Sequence, residues 1–211
     1  MKFYSSRGPN PRLVRMFMME RGIELPTVEV DIVAGENVSE DYKALNPSAQ
    51  TPCLQLDDGS VLAEVTTICG YLDEISPGLS LIGETPQERA ETRMWNRRID
   101  VRILEPMTLA FRSAEGLPMF ESRCRLIPHA ADDLKAIVQE NWAWLESLMA
   151  GKDYVCGDRF TLADVQLFCF AEFGGMIGQG IPADLPNLQG WFARIAARPS
   201  AAASRHPADF A

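Results

Sequence analysis

Strand-like patterning in this sequence stops at Ser76-Pro77-Gly78, and beyond that point every periodic segment is helical. A chain divided in this way cannot run one sheet through its whole length. It calls for a mixed α/β part followed by an all-helical part, here residues 1–78 and 86–211. The 211 residues suit two small cores, because domains typically run to ~100–150 residues each.

Within the first part the expected order is β-α-β-α-β-β-α. Met1 to Tyr4 is a short apolar strand, and Pro11 to Glu20 carries Val14, Phe17 and Met18 at helical spacing before Gly22, a natural C-cap. Pro26 to Val33 alternates through Val28, Val30 and Ile32, which predicts a strand with one face buried. Ser39 to Leu45 is a short helix ahead of Asn46-Pro47, and Pro52 to Leu62 is a hairpin turning at Asp57-Asp58-Gly59. Glu64 to Ile75 closes the part as a helix with Ile68, Tyr71, Leu72 and Ile75 on one face. The second part predicts helices over 86–113, 130–149, 161–173 and 188–197. The first carries a stripe of Ala90, Met94, Val101 and Leu104, with Trp95, Ile99 and Ile103 beside it, and a kink is expected at Pro106 inside it. The Ala-rich tail from Ser200 has no periodicity and is expected to be loosely held.

Charge removes several function classes. Asp plus Glu outnumber Lys plus Arg by 29 to 20, for a net charge of −9, the wrong sign for neutralising nucleic-acid phosphates or an anionic membrane. The longest apolar stretches fall short of the ~20 residues that a bilayer requires. Five cysteines form an odd set without a C-x-x-C, and the opening residues lack a hydrophobic core region, so a reducing cytoplasm with mostly buried thiols is expected. The two histidines, His129 and His206, are not at ligand spacing, so no metal is expected.

Three local patterns carry chemistry. In Asn46-Pro-Ser-Ala-Gln50-Thr51-Pro52-Cys53, a proline opens a strand just after a turn and leaves the backbone N–H and C=O of Thr51 free to pair with an extended ligand. A cis bond is tolerated there, although the tripeptide alone favours trans. In Leu62-Ala63-Glu64-Val65-Thr66-Thr67-Ile68, a strand hands over to a helix whose free N–H groups suit a carboxylate, with Glu64 beside them suited to an ammonium group. The plainer reading is that Glu64 and Thr66 only start the helix. Phe160-Thr161-Leu162-Ala163-Asp164-Val165 is an N-capping box with a hydrophobic staple, a folding element without a catalytic role.

Taken together, and across nearly the whole chain, these patterns resemble the glutathione transferase family, in which a thioredoxin-like domain precedes an all-helical one. A β-α-β-α-β-β-α half also suits glutaredoxins and peroxidases, but no cysteine precedes Cys53, which disfavours disulfide exchange through a protein thiol at the first helix. The resemblance implies glutathione as co-substrate, held by Gln50, Thr51 and a cis Pro52, and by Glu64, the N–H of Val65 and Thr66. The family usually has Ser where this chain has Val65, so one side-chain hydrogen bond to the glutathione carboxylate is missing. The residue that activates the thiol is usually Tyr, Ser or Cys near the start of the first helix. Here that slot reads Gly8-Pro9-Asn10-Pro11, so the candidates are Asn10, Ser5 and Ser6, with Arg12 and Arg15 nearby on a face expected to be solvated.

A second, small apolar electrophile would lie against the Pro106-interrupted helix, lined by Met107, Phe111 and Arg112. The resemblance thus implies a homodimeric glutathione transferase, of a class the sequence leaves open. Its activity would be conjugation of electrophiles or reduction of peroxides or disulfides. The alternative is a binding or regulatory module that kept the fold and lost activity.

Overall fold

In the computed structural model, which describes residues 1–210, alternation decides the first strand. β1 (Lys2–Ser5) buries Phe3 and Ser5 on one face and turns Tyr4 to the other. α1 (Pro9–Arg21) opens with prolines at its first and third positions, where an intrahelical donor is not needed. It closes at Gly22, whose φ of 64° lets the N–H groups of Gly22 and Ile23 bond back to Met19 and Met18.

β2 (Thr27–Glu29) runs parallel to β1 and is shorter than the alternation predicted. Val30 still donates to the Ser5 carbonyl at 2.8 Å, but the Asp31 carboxylate then collects the N–H groups of Val33 and Ala34, a turn that ends the strand. A 3₁₀ turn (Glu36–Val38) leads to α2 (Glu40–Leu45), capped by the Ser39 hydroxyl on the Tyr42 N–H. β3 (Cys53–Gln55) pairs antiparallel with β1, setting Leu54 opposite Phe3. β4 (Val61–Leu62) returns along β3 through a turn at Gly59, φ 87°.

α3 (Val65–Ile75) packs on α1. The sheet order is β2-β1-β3-β4, and the expected element order is borne out. Phe3, Leu13, Val14, Phe17, Leu54, Ile68 and Leu72 are fully buried. Val30, Tyr42 and Cys53 form a further cluster with Tyr4, Ile32, Leu45 and Val61 packed against it. Ile75, the last member of the stripe expected on α3, is instead exposed.

The chain divides after Glu84. Residues 1–84 form one compact unit together with the chain from Arg198 on, and Thr85–Ala197 forms the other. Asp73 explains why the segment after α3 stays with the first unit. It pairs with Arg21 at 3.0 Å, takes the Leu81 N–H at 3.0 Å and receives the Ser80 hydroxyl.

The tail departs from both expectations made for it: among the described residues it forms a short helix (Pro199–Ala203) and a 3₁₀ turn (Pro207–Phe210), and it joins the first unit rather than the helical one. Arg198 grips the Glu20 carboxylate with two bonds of 2.8 and 2.6 Å, and Ser200 donates to the same group. Burial by itself would raise the Glu20 pKa; the bonds from Arg198 and Ser200 outweigh it and hold the carboxyl below its ordinary value. Ala201 and Ser204 are buried, and Ala211, the last residue of the tail, lies outside the described residues.

In the second unit the helical run predicted over 86–113 forms as α4 (Pro86–Ile99), a π turn (Asp100–Leu104) and α5 (Glu105–Ser113). Pro106 has no N–H to offer the Arg102 carbonyl, and just before it the Glu105 N–H reaches back five residues to Asp100. The buried stripe of α4 is Thr92, Trp95, Asn96 and Ile99, whereas Met94 and Val101, placed on the leading stripe by periodicity, are exposed. A short α6 (Leu117–Phe120) follows, then α7 (Ala131–Met149), α8 (Leu162–Met176) and α9 (Pro186–Ala196). α10 (Pro199–Ala203) lies in the tail. As expected from its all-round apolarity, α8 is central: every residue from Leu162 to Ala171 is buried, and the Thr161–Asp164 capping box is formed. Among the described residues no helix is long and apolar enough to cross a membrane.

Candidate active site

The loop between α2 and β3 is held from beneath by three polar side chains. The Asn46 carbonyl oxygen receives the Ser48 N–H and hydroxyl, while its amide donates to the Gln50 carbonyl at 2.8 Å. The Tyr42 hydroxyl donates to that same carbonyl at 2.8 Å, and the Asn37 amide donates to Ala49 at 2.7 Å. Burial, reinforced by the neighbouring Cys53 thiol, pushes the Tyr42 hydroxyl far above its ordinary pKa, so it remains a donor. Burial likewise raises the Cys53 thiol, which makes it a poor nucleophile.

With the carbonyls of residues 49 and 50 engaged in this way, the Gln50 side chain is left exposed and Ala49 sits at φ 55°. The backbone N–H and C=O of Thr51 have no hydrogen-bond partner among the described residues. Thr51–Pro52 is cis, and the Thr51 hydroxyl lies 2.6 Å from that of Ser6.

Glu64 precedes α3 with φ 67°. It and Ala49 are the two non-glycine residues of positive φ among the described residues. Glu64 is exposed and does not cap its own helix, so the N–H groups of Val65, Thr66 and Thr67 are free among the described residues; the first intrahelical bond is from Ile68 to Glu64, 2.9 Å. Thr66 is half-buried, and its hydroxyl has no partner among the described residues. A carboxylate, three outward N–H groups and a hydroxyl thus stand together at one helix start.

At the start of α1, Pro9 and Pro11 carry no N–H, so Asn10 supplies the single backbone donor of the first three positions, and it has no partner among the described residues. Its half-buried side-chain amide is also without a partner among the described residues. Ser5 and Ser6 lie differently: they are 1% and 0% exposed, and their hydroxyls are engaged with Arg15 at 2.8 Å and with Thr51. Arg12 and Arg15, expected on a solvated face, are drawn inward instead. Arg12 is 4% exposed and donates to the Ala201 carbonyl at 2.9 Å, and Arg15 donates to Ser204 at 2.9 Å.

Of the residues expected around a second substrate, Met107 is fully buried, and its carbonyl receives the Gln179 amide at 3.4 Å. Phe111 is half-buried, edge-on to Phe173 and Phe120 with centroid separations of 5.2 and 6.1 Å. The Arg112 guanidinium stands 5.3 Å over the Phe120 ring. The supporting roles of Asn37, Tyr42 and Arg15 were not anticipated. Asn46-Pro47 marks a helix end in the sequence, but nothing local says that Tyr42 reaches eight residues ahead.

Comparison with known proteins completes the picture. Residues 8–75 match the family profile described as glutathione S-transferase, N-terminal domain, and residues 127–199 the profile described as glutathione S-transferase, C-terminal domain. A crystal structure of a glutathione S-transferase domain-containing protein from Marinobacter aquaeolei superposes with a TM-score of 0.90 at 36% identity, covering 95% of this chain and 100% of that one. Glutathione S-transferase 2 of Saccharomyces cerevisiae is 26% identical over 207 residues, 92% of this chain and 84% of the yeast protein. A glutathione transferase homologue from Sulfitobacter, crystallised with bound glutathione, has a TM-score of 0.77 at 25% identity, with 96% of this chain and 95% of that chain covered.

Proposed function

This chain belongs to the glutathione S-transferase family, and we propose that it works as an enzyme of that family, binding glutathione in its first unit and presenting the thiolate to a second, small apolar substrate. The observation that carries this reading is Glu64. A non-glycine residue held at φ 67° stores about 1–3 kcal/mol of backbone strain, and such strain gathers at ligand clamps. Here it sets a carboxylate beside the three free N–H groups that open α3.

In the proposed complex Glu64 takes the γ-glutamyl ammonium, and the N–H groups of Val65 and Thr66 with the Thr66 hydroxyl take its carboxylate. The backbone N–H and C=O of Thr51 pair with the cysteinyl residue, and Gln50 reaches the backbone beyond it. The thiol then falls to Asn10, whose amide and backbone N–H donate to the sulfur and favour the thiolate as its proton leaves to solvent. In conjugation the thiolate attacks an electrophilic carbon, a C–S bond forms, and the leaving group departs with its electron pair. In peroxide reduction the sulfur attacks one oxygen and the other leaves as alcohol or water. A second glutathione then displaces hydroxide from the sulfenic acid to give the disulfide. Met107, Phe111 and Arg112 on the helical unit are the residues proposed for the second substrate; Phe111 and Arg112 are half-buried and Met107 is fully buried. The working form is a homodimer.

The decisive test of function is a glutathione-dependent turnover assay over a panel of aryl and alkyl electrophiles, hydroperoxides and a small disulfide. Turnover of at least one class is expected, and none, together with no calorimetric binding of glutathione, contradicts the reading. Val65 makes a second expectation. Restoring a hydroxyl beside the carboxylate in Val65→Ser adds a hydrogen bond to a charged group, so calorimetric titration should show glutathione binding about tenfold tighter than in the wild type. An unchanged affinity would mean that Thr66 already does this work.

A further inference from the structure

Resting on that reading, we propose that Arg15 is a positioning residue for glutathione and that through it the C-terminal segment, which is not assigned any contact with the ligand, sets the affinity of the site. Arg15 stands on α1 and bonds in two directions. Its Nε donates to the Ser204 carbonyl at 2.9 Å, while one terminal nitrogen donates to the Ser5 hydroxyl at 2.8 Å and the Ser6 carbonyl at 2.9 Å. Ser6 carries the connection on, because its hydroxyl lies 2.6 Å from that of Thr51, the residue whose free backbone N–H and C=O are assigned to the cysteinyl part of glutathione. A continuous hydrogen-bonded chain thus runs from Ser204 through Arg15 and Ser6 to Thr51. A planar guanidinium fans its donors in one plane from three separate nitrogens and so reaches both segments, whereas an ammonium group directs its three donors from a single nitrogen.

The far end of this chain is anchored. Arg12 donates to the Ala201 carbonyl at 2.9 Å and to the Ser204 hydroxyl at 3.4 Å, Arg7 donates to the Ala208 carbonyl at 2.6 Å, and Arg198 holds Glu20. Three arginines from the start of the chain therefore grip the tail by its carbonyls. With Ser5 and Ser6 nearly inaccessible, the polar function of the Ser-Ser pair is to transmit this grip to Thr51 at the end of the loop before β3. The role predicts a split in kinetics: loosening Arg15 weakens glutathione binding and leaves the chemical step at saturation intact.

Arg15→Ala, Arg15→Lys, Ser6→Ala and the Arg15→Ala/Ser6→Ala double variant test this by glutathione titration calorimetry, with steady-state kinetics at saturating glutathione alongside. The expectation is a Kd raised about tenfold in Arg15→Ala and in Ser6→Ala, less in Arg15→Lys, and not multiplied in the double variant, because both changes cut one chain. The kcat at saturation should stay within about twofold of wild type. A purely structural role would lower the Tm and leave Kd unchanged in the variants that fold, and that result overturns the inference; Arg15→Lys keeps the charge and supplies a folded comparison. Multiplicative effects in the double variant overturn it as well. Wild-type protein that fails to bind glutathione overturns the proposed function itself and this inference with it, whereas normal wild-type binding with unaffected variants removes only the role of Arg15.

Discussion

Asn10→Ala is expected to lower kcat/KM by about a hundredfold, the usual cost of losing one donor aimed at a developing anion, while the Kd for glutathione changes little. The start of α1 is short of alternatives. Pro9 and Pro11 offer no N–H, and the hydroxyls of Ser5 and Ser6 are buried and already bonded to Arg15 and Thr51. The Asn10 amide is left as the side chain at that helix start with unspent donors. Because it favours the thiolate over the thiol, its removal should also raise the pKa of the bound glutathione thiol. The ultraviolet absorbance of the thiolate, followed against pH in the binary complex, reports that shift directly. Turnover and thiol pKa both unchanged in Asn10→Ala would move the catalytic role to another group.

The largest effect on stability is expected at Asp164. This fully buried carboxylate receives the Val155 N–H at 2.8 Å, the Trp191 indole N–H at 2.9 Å, the Thr161 N–H at 2.9 Å and the Thr161 hydroxyl at 3.2 Å. It therefore ties α8 both to the turn before it and to α9. Asp164→Ala leaves several buried donors unpaired, each costing about 1–3 kcal/mol, so a loss of roughly 4 kcal/mol in urea unfolding is expected. Asp164→Asn keeps the shape but offers a donor where acceptors are needed, and should cost less.

Both substitutions also remove a pH dependence that the wild type carries. Burial pushes the Asp164 carboxyl up to about 6 against the partial opposition of its donors. A folded-state pKa raised above the unfolded value means that the folded protein holds its proton more tightly. The stability from this group is fully present below ~3.9 and is lost as pH rises through about 6. The margin of wild type over Asp164→Asn is accordingly expected to be wider near pH 4.5 than near pH 7.5, by roughly 2 kcal/mol. A margin that widens with pH would show that the carboxylate is charged in the folded state throughout.

How much of this was legible in the sequence follows from the reach of each interaction. The Asp57-Asp58-Gly59 turn, the Gly22 cap and the Thr161–Asp164 box are closed within a few residues, so their letters sit side by side, and each formed where expected. The same holds for the interruption at Pro106, although the letters gave no sign that it would take the form of a π turn. Periodicity placed Met94 and Val101 on the leading stripe because both candidate stripes of α4 are apolar. Which one faces inward depends on the neighbouring helices, and the buried one holds Thr92 and Asn96 as well.

At the candidate site, the strand start after Pro52 and the helix start at Glu64 were readable from local letters, whereas the cis form of Pro52 was expected only from the family resemblance. The support beneath them was not readable. Ser6 and Thr51 are 45 residues apart, and Arg15 and Ser204 are 189 apart, separations at which no local pattern records a pairing. The same distance explains the tail. Its alanines and serines show no stripe of their own, and its order comes from arginines at the other end of the chain.

The central claim is that glutathione lies along Thr51 and Glu64–Thr66 with its sulfur at Asn10. A crystal structure of the protein with glutathione tests it most directly. The account predicts the γ-glutamyl ammonium on the Glu64 carboxylate, its carboxylate on the N–H groups of Val65 and Thr66, the cysteinyl backbone paired with Thr51, and the sulfur within hydrogen-bond reach of the Asn10 amide. Glutathione bound with its sulfur against a different side chain, or with its γ-glutamyl end away from Glu64, would contradict it.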